Sequence, residues 1–196
     1  MRPASLLNII LTAFAWLLAT AFTAPAATIH IVAFGDSSTA GWLVQYEEAY
    51  PAQLEALLRK KGYDVDVANE GISGDTTAGA LKRFDWAIAP GTNIAIVEFG
   101  TNDLRAGASM QTLRARLTEL IRSLRARSIE VLLIGLRSLD LADVARANDV
   151  LYAQWNLPEG KYRASDGAHY NAEGYKIVIE RMLPQVETLI ARVTRK

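Results

Sequence analysis

Residues 29–42 read IHIVAFGDSSTAGW, an apolar run rich in β-branched side chains that stops at Gly35-Asp36 and gives way to two adjacent serines. A short apolar stretch ended by glycine is the mark of a strand buried on both faces, as in a parallel sheet. Working outward, residues 65–68, 94–99 and 131–136 read as three further strands. Between them lie helical patterns. Pro51 opens one whose Leu54, Leu57 and Leu58 share a face and which Lys60-Lys61-Gly62 closes. A second runs through Leu81, Phe84 and Ile88 to Pro90-Gly91. A third, over 110–127, sets Leu113, Leu117, Leu120, Ile121 and Leu124 at helical spacing and leaves Arg114, Arg116, Arg122, Arg125 and Arg127 on a solvated face. Leu141, Val144, Asn148, Leu151 and Trp155 predict another helix, and the last spans 172–193. Residues 155–166 carry no clear pattern, and Trp42, Trp86 and Trp155 read as core before pocket.

Strands alternating with helices predict an α/β fold: a parallel sheet of four to five strands with helices on both faces, because each parallel pair needs a crossover that packs back on the sheet. In such folds ligands bind at the carboxyl ends of the strands, where the strand order reverses. Three loops at those ends are rich in glycine and polar residues: Gly35-Asp36-Ser37-Ser38, the segment 69–77, and Gly100-Thr101-Asn102-Asp103.

Composition narrows the function. Residues 1–26 hold one charge, Arg2, then an apolar run over 6–22 and the small residues Ala24-Pro25-Ala26. This predicts a secretory signal peptide cut after Ala26, the run being slightly short for a spanning helix. Residues 27–196 then form one domain of about 170 residues, enough for a full core. Without Arg2 the chain carries 20 basic against 21 acidic side chains. That balance gives no electrostatic reason to expect nucleic acid as a partner. There is no cysteine, so disulfides, thiolate catalysis, lipid attachment at the N-terminus and Cys-type zinc sites are all excluded.

A serine hydroxyl is a weak nucleophile until a base takes its proton, and the chain has two histidines. His30 lies on the first strand, seven residues before Ser37; at about 3.3 Å per residue that is roughly 20 Å away, at the wrong end of the sheet. It reads as structural. His169 sits in Ser165-Asp166-Gly167-Ala168-His169 just before the last helix, with Asp166 three residues earlier. One turn can bring such a carboxylate against the imidazole, although Asp-x-x-His by itself also reads as a helix cap. Acyl transfer further needs donors for a developing oxyanion. Gly74 N–H, Ser37 N–H and the Asn102 amide qualify, while a turn glycine at 74 and an Asx-turn at 102 explain those residues equally well.

Four blocks, Gly35-Asp36-Ser37, Gly71-x-x-Gly74-Asp75-Thr76, Gly100-Thr101-Asn102-Asp103 and Asp166-x-x-His169, occur in this order. In this the chain resembles the SGNH (GDSL) hydrolase family, and within it the small bacterial arylesterase, acyl-CoA thioesterase and lysophospholipase group. Asn69-Glu70 and Asn171-Ala172-Glu173-Gly174 are similar to that group as well. The resemblance implies a flavodoxin-like three-layer fold, with Ser37 as nucleophile, His169 as general base and acid and Asp166 as its orienting partner. It also implies an oxyanion hole of Ser37 N–H, Gly74 N–H and the Asn102 side chain. Asp36 and Asp103 would hold the loops. Two departures stand out: Ser38 follows the nucleophile where an aliphatic residue is common, and 136–166 is short and lacks a clear fifth strand.

The function this implies is an exported serine esterase or thioesterase, periplasmic or secreted, acting on small esters or thioesters through an acyl-enzyme. No cofactor or metal is called for, and no stable membrane insertion follows removal of the leader. A monomer is the default oligomeric state. Two alternatives keep the fold: a carbohydrate O-acetylesterase acting on cell-envelope or plant polysaccharide, and a non-catalytic binding protein. A metallohydrolase is disfavoured because His169 is the only usable histidine.

Overall fold

The computed structural model describes residues 27–137, 139–157 and 160–195. The leader read over 1–26 lies outside them. Strand β1 (Ile29–Gly35) is buried along its length except at His30. It pairs in parallel with β2 (Val65–Gly71) on one side and β3 (Ile94–Glu98) on the other. Strands β4 (Glu130–Leu136) and β5 (Leu151–Trp155) extend the sheet to the order β2-β1-β3-β4-β5, every pair parallel. That order reverses direction between β1 and β3, which places the expected crevice outside their carboxyl ends.

The alternation of side chains along a strand divides the core. Ile31 and Ala33 join Ile94, Ile96, Leu132 and Ile134 on one face. There they pack on helix α2 (Tyr50–Lys60) through Leu54 and Leu58, and on the long C-terminal helix through Val178, Met182 and Val186. Val32 and Phe34 join Ala95, Val97, Val131 and Leu133 on the other. This second layer is built by α3 (Thr77–Lys82), α4 (Phe84–Ala87) and α6 (Met110–Ala126), with α6 presenting Leu113, Leu117, Leu120, Ile121 and Leu124. Each such fully buried aliphatic side chain stabilises by roughly 1.5–3 kcal/mol.

Four expectations are revised. The segment 141–155 is not one helix: α7 (Ala142–Ala147) ends at Asn148, Asp149 takes φ 52°, and the chain then enters β5. Asn and Asp tolerate that left-handed conformation, and the Asn148 side chain caps the turn by donating to the Val144 carbonyl. The fifth strand is therefore present, within the short segment that lacked one on inspection. Second, β2 runs three residues further than 68, to Gly71, because Asn69, Glu70 and Gly71 pair with Ala33, Phe34 and Gly35. Third, the helix read through Leu81 and Ile88 breaks at Arg83 into α3 and α4. Of the three tryptophans, finally, only Trp155 is core, edge-on to Tyr50 and Tyr170; Trp42 and Trp86 are exposed.

Candidate active site

Ser37 opens the four-residue helix α1 (Ser37–Ala40) directly at the end of β1. Asp36 caps that helix, its Oδ1 accepting from Ser38 N–H at 2.9 Å. Gly41 closes it in a left-handed conformation, φ 81°. The turn is tight enough that glycine is required nearby: a Cβ on Gly35 would lie 2.0 Å from Thr39 Oγ1, and one on Gly71 would lie 2.1 Å from the Ala40 backbone nitrogen.

Across the cleft, the loop before α8 (Ala172–Val193) carries His169. Its Nε2 stands 2.8 Å from Ser37 Oγ, joining residues 132 positions apart in sequence. On the other side of the ring Nδ1 stands 2.5 Å from Asp166 Oδ2. A carboxylate only accepts, so Nδ1 carries the proton, Nε2 offers its lone pair, and Ser37 donates to it. The other carboxylate oxygen, Asp166 Oδ1, accepts from the backbone N–H groups of Ala168 and His169 at 2.9 and 3.0 Å, which clamps the turn. Partial burial works to raise the Asp166 carboxyl, but the His169 ring and these backbone donors outweigh it and bring it down to about 2. Asp166 is thus ionised across the neutral range, and this arrangement can take a proton from Ser37 and return it to a leaving group.

Asn102 belongs to α5 (Thr101–Arg105), which follows β3. Its amide nitrogen donates to Asp36 Oδ2 and to the Asp75 carbonyl, both at 3.0 Å, so it braces the loops after β1 and β2. Its two N–H bonds are both engaged. Ser37 N–H lies in a helix's first turn and has no acceptor within the helix. Gly74, at φ 82° and exposed, adjoins Asp75, whose carbonyl Asn102 holds. Asp103 ties the third loop to the second by accepting from Thr77 N–H at 2.9 Å and from the Thr77 hydroxyl. Ser38 is buried, and its carbonyl accepts from Tyr175 at 2.7 Å. His30 is exposed at the far end of β1, 2.6 Å from Asp66.

The cleft is small, about 20 Å³ in volume, and lined by Ser37, Asn102, His169, Leu136, Arg105 and Arg137 among others. Among the described residues no three His, Asp or Glu side chains gather in a way that would hold a metal ion. No described helix is long and apolar enough to cross a membrane.

The family model of GDSL-like lipases and acylhydrolases matches residues 33–156, well over half of the chain. The chain belongs to the GDSL-like lipase/acylhydrolase family. It is similar to the esterase TesA of Pseudomonas aeruginosa, 33% identical over 116 residues that cover 59% of this chain and 58% of that protein. To thioesterase 1/protease 1/lysophospholipase L1 of Escherichia coli K12 it is 26% identical over 195 residues, covering 90% of this chain and 92% of the relative. The solved structure of AlinE4, described as an SGNH-hydrolase family esterase, superposes with a TM-score of 0.64 at 29% identity, over 83% of this chain and 96% of its own. The chain spans little more than half the length of TesA.

Several parts of this GDSL-like site escaped sequence reasoning. Arg83 donates to the carbonyls of Gly35 and Glu70 and meets Asp75 at 2.8 Å, binding the roots of two loops beneath the Phe34 ring. Glu98, fully buried at the end of β3, accepts from Thr39 Oγ1 at 3.0 Å and lies under the Asp36 backbone. Burial first, and then the neighbouring Asp36, push the Glu98 carboxyl well above the usual carboxylate range. Burial raises Asp36 too, against the pull of Ser38 N–H. An acidic residue ending an otherwise apolar strand was the available signal for Glu98. Nothing local marked Arg83, Arg105 or Arg137.

Proposed function

We propose that this protein is an exported serine hydrolase that cleaves carboxylic esters or thioesters through an acyl-enzyme on Ser37. The observation that carries the reading is the continuous relay Ser37 Oγ to His169 Nε2 to Asp166, at 2.8 and 2.5 Å, standing in a cleft at the point where the strand order reverses. In the first half-reaction His169 takes the Ser37 proton as Oγ attacks the carbonyl carbon. The imidazolium that forms is stabilised by ionised Asp166. The oxyanion of the tetrahedral intermediate is met by Ser37 N–H, by Gly74 N–H and by the Asn102 amide, which gives up one of its two present acceptors as the substrate enters. Collapse returns the proton from His169 to the leaving alcohol or thiol. Water then repeats the sequence, with His169 again as base, and releases the acid.

Export is part of this reading: residues 1–26 serve as a leader, and N-terminal sequencing of the protein recovered from a producing cell should begin at Ala27. The catalytic test is a panel of p-nitrophenyl esters and acyl thioesters of graded chain length. Wild type turns over at least one member and Ser37→Ala none above background. Equal inactivity of both proteins across the panel would sink the reading. Acetate release from acetylated xylan at a rate far above that from any simple ester would instead favour the carbohydrate esterase alternative.

A further inference from the structure

Two arginines line the Ser37 cleft. Arg105 stands at the C-terminal end of α5 and Arg137 at the carboxyl end of β4, and both line it beside Ser37, Asn102 and His169. Arg137 is firmly set. Its backbone is held at φ 59°, a region side chains seldom adopt, by a bond from its N–H to the Trp155 carbonyl at 2.8 Å and one from Gln154 to its own carbonyl at 2.7 Å. Its guanidinium also donates to the Ala168 carbonyl, next to His169. Arg105 is exposed and has no ion pair or side-chain hydrogen bond among the described residues. By contrast Arg116, on α6, reaches Asp103 at 3.6 Å, and Arg83 reaches Asp75 at 2.8 Å.

The acidic side of the cleft is weak by comparison. Asp36 is the carboxylate in the wall, and it is buried and turned toward Ser38 N–H and the Asn102 amide. The cleft therefore carries two arginines in its wall against the buried Asp36 and against Asp166, which is already engaged by His169 and by the backbone N–H groups of its own turn. A concave wall concentrates that field, and the planar guanidinium fork matches carboxylate or phosphate oxygens.

We infer that the cleft selects esters carrying an anionic group close to the scissile bond, with Arg105 as the specificity-determining contact and Arg137 as its fixed neighbour. This rests on the ester-hydrolase reading above. Arg105 contacts the anion, while the reacting carbonyl stays with Ser37.

The test compares kcat/KM within matched ester pairs. For an anion on the acyl side the pair is p-nitrophenyl hemiglutarate against p-nitrophenyl butyrate. For one on the alcohol side, p-acetoxybenzoate and p-acetoxyphenyl phosphate are each set against phenyl acetate, which also separates carboxylate from phosphate. Wild type should prefer the anionic member on at least one side. That preference should fall about tenfold in Arg105→Ala, while Arg105→Lys keeps most of it, as expected for loss of a charge-assisted contact at a solvent-open site. In wild type alone it should shrink as salt is raised, a readout that needs no variant. A thermal melt of Arg105→Ala verifies that the fold is kept. Turnover of the neutral esters with no preference for the anionic ones, or a preference that Arg105→Ala leaves intact, overturns the anion contact alone. Absence of turnover for every ester in wild type overturns the hydrolase reading and this inference with it.

Discussion

Replacing Asp36 by alanine separates the support of the nucleophile loop from the chemistry on it. The Asp36 side chain is buried, caps α1 through Ser38 N–H at 2.9 Å and accepts from Asn102 at 3.0 Å. Loss of an N-cap costs about 0.5–2 kcal/mol. The Asn102 amide is left with an N–H and no acceptor, which costs about 1–3 kcal/mol more if water does not replace the carboxylate. Against this, removing a buried carboxyl that faces Glu98 relieves part of the cost of burying two acids together. The net loss is then about 2–3 kcal/mol, and for a domain of this size it lowers Tm by roughly 4–12 °C. Calorimetry at neutral pH measures it. Asp36→Asn keeps an acceptor for Ser38 and should lose less, and kcat/KM should fall in both as Ser37 drifts from His169. A melt of Asp36→Ala within about 1 °C of wild type, or one no lower than that of Asp36→Asn, would show that Asp36 does not brace the loop in this way.

Other consequences follow from the same geometry. Native Glu98 keeps a proton that the unfolded chain has already released, so stability should decline as pH rises above the usual carboxylate range; chemical denaturation across pH should show that slope in wild type and a flatter one in Glu98→Gln. Since the Asp166 carboxyl is held down to about 2, it should stay ionised from neutral through mildly acidic pH, as an NMR titration of its side-chain carboxyl carbon would show. Asp166→Asn should lower kcat by about 10²–10⁴ at neutral pH with little change in Tm, because the ring loses its fixed tautomer. Gly71→Ala should lower Tm by several degrees and kcat with it: its Cβ meets backbone atoms of α1, so the helix carrying Ser37 must move, an overpacking cost of about 1–3 kcal/mol.

The parts of the fold that were legible in sequence are those where one physical pattern has no competitor. Ile31 to Phe34 is apolar on both faces and ends in glycine, so only a buried strand fits. The long α6 and α8 repeat their apolar residues over several turns. The segment 141–155 was ambiguous because its three- and four-residue spacing satisfies a helix, while the break depends on Asp149 accepting φ 52° and on β4 offering an edge to Leu151 and Tyr152. Neither is a local property. In the site, His169 stood out because the chain has only two histidines, whereas Ser37 and Asp166 were picked out by the resemblance carried by the four blocks. Arg105 and Arg137 were not, since an arginine's place in a cleft wall is set by which loops the sheet order brings together. Likewise the commitment of Asn102 to both Asp36 and Asp75 depends on three loops meeting at one edge, which no spacing within any one of them records.

Acylation of Ser37, on which the proposed mechanism turns, is open to covalent trapping. The protein is treated with diethyl p-nitrophenyl phosphate, residual ester hydrolysis is followed, and the modified residue is located by peptide mass spectrometry. A single phosphoryl adduct on Ser37 is expected, formed in step with the loss of activity and absent from His169→Ala. An adduct on Ser38, or full turnover by protein whose Ser37 is completely modified, would contradict it.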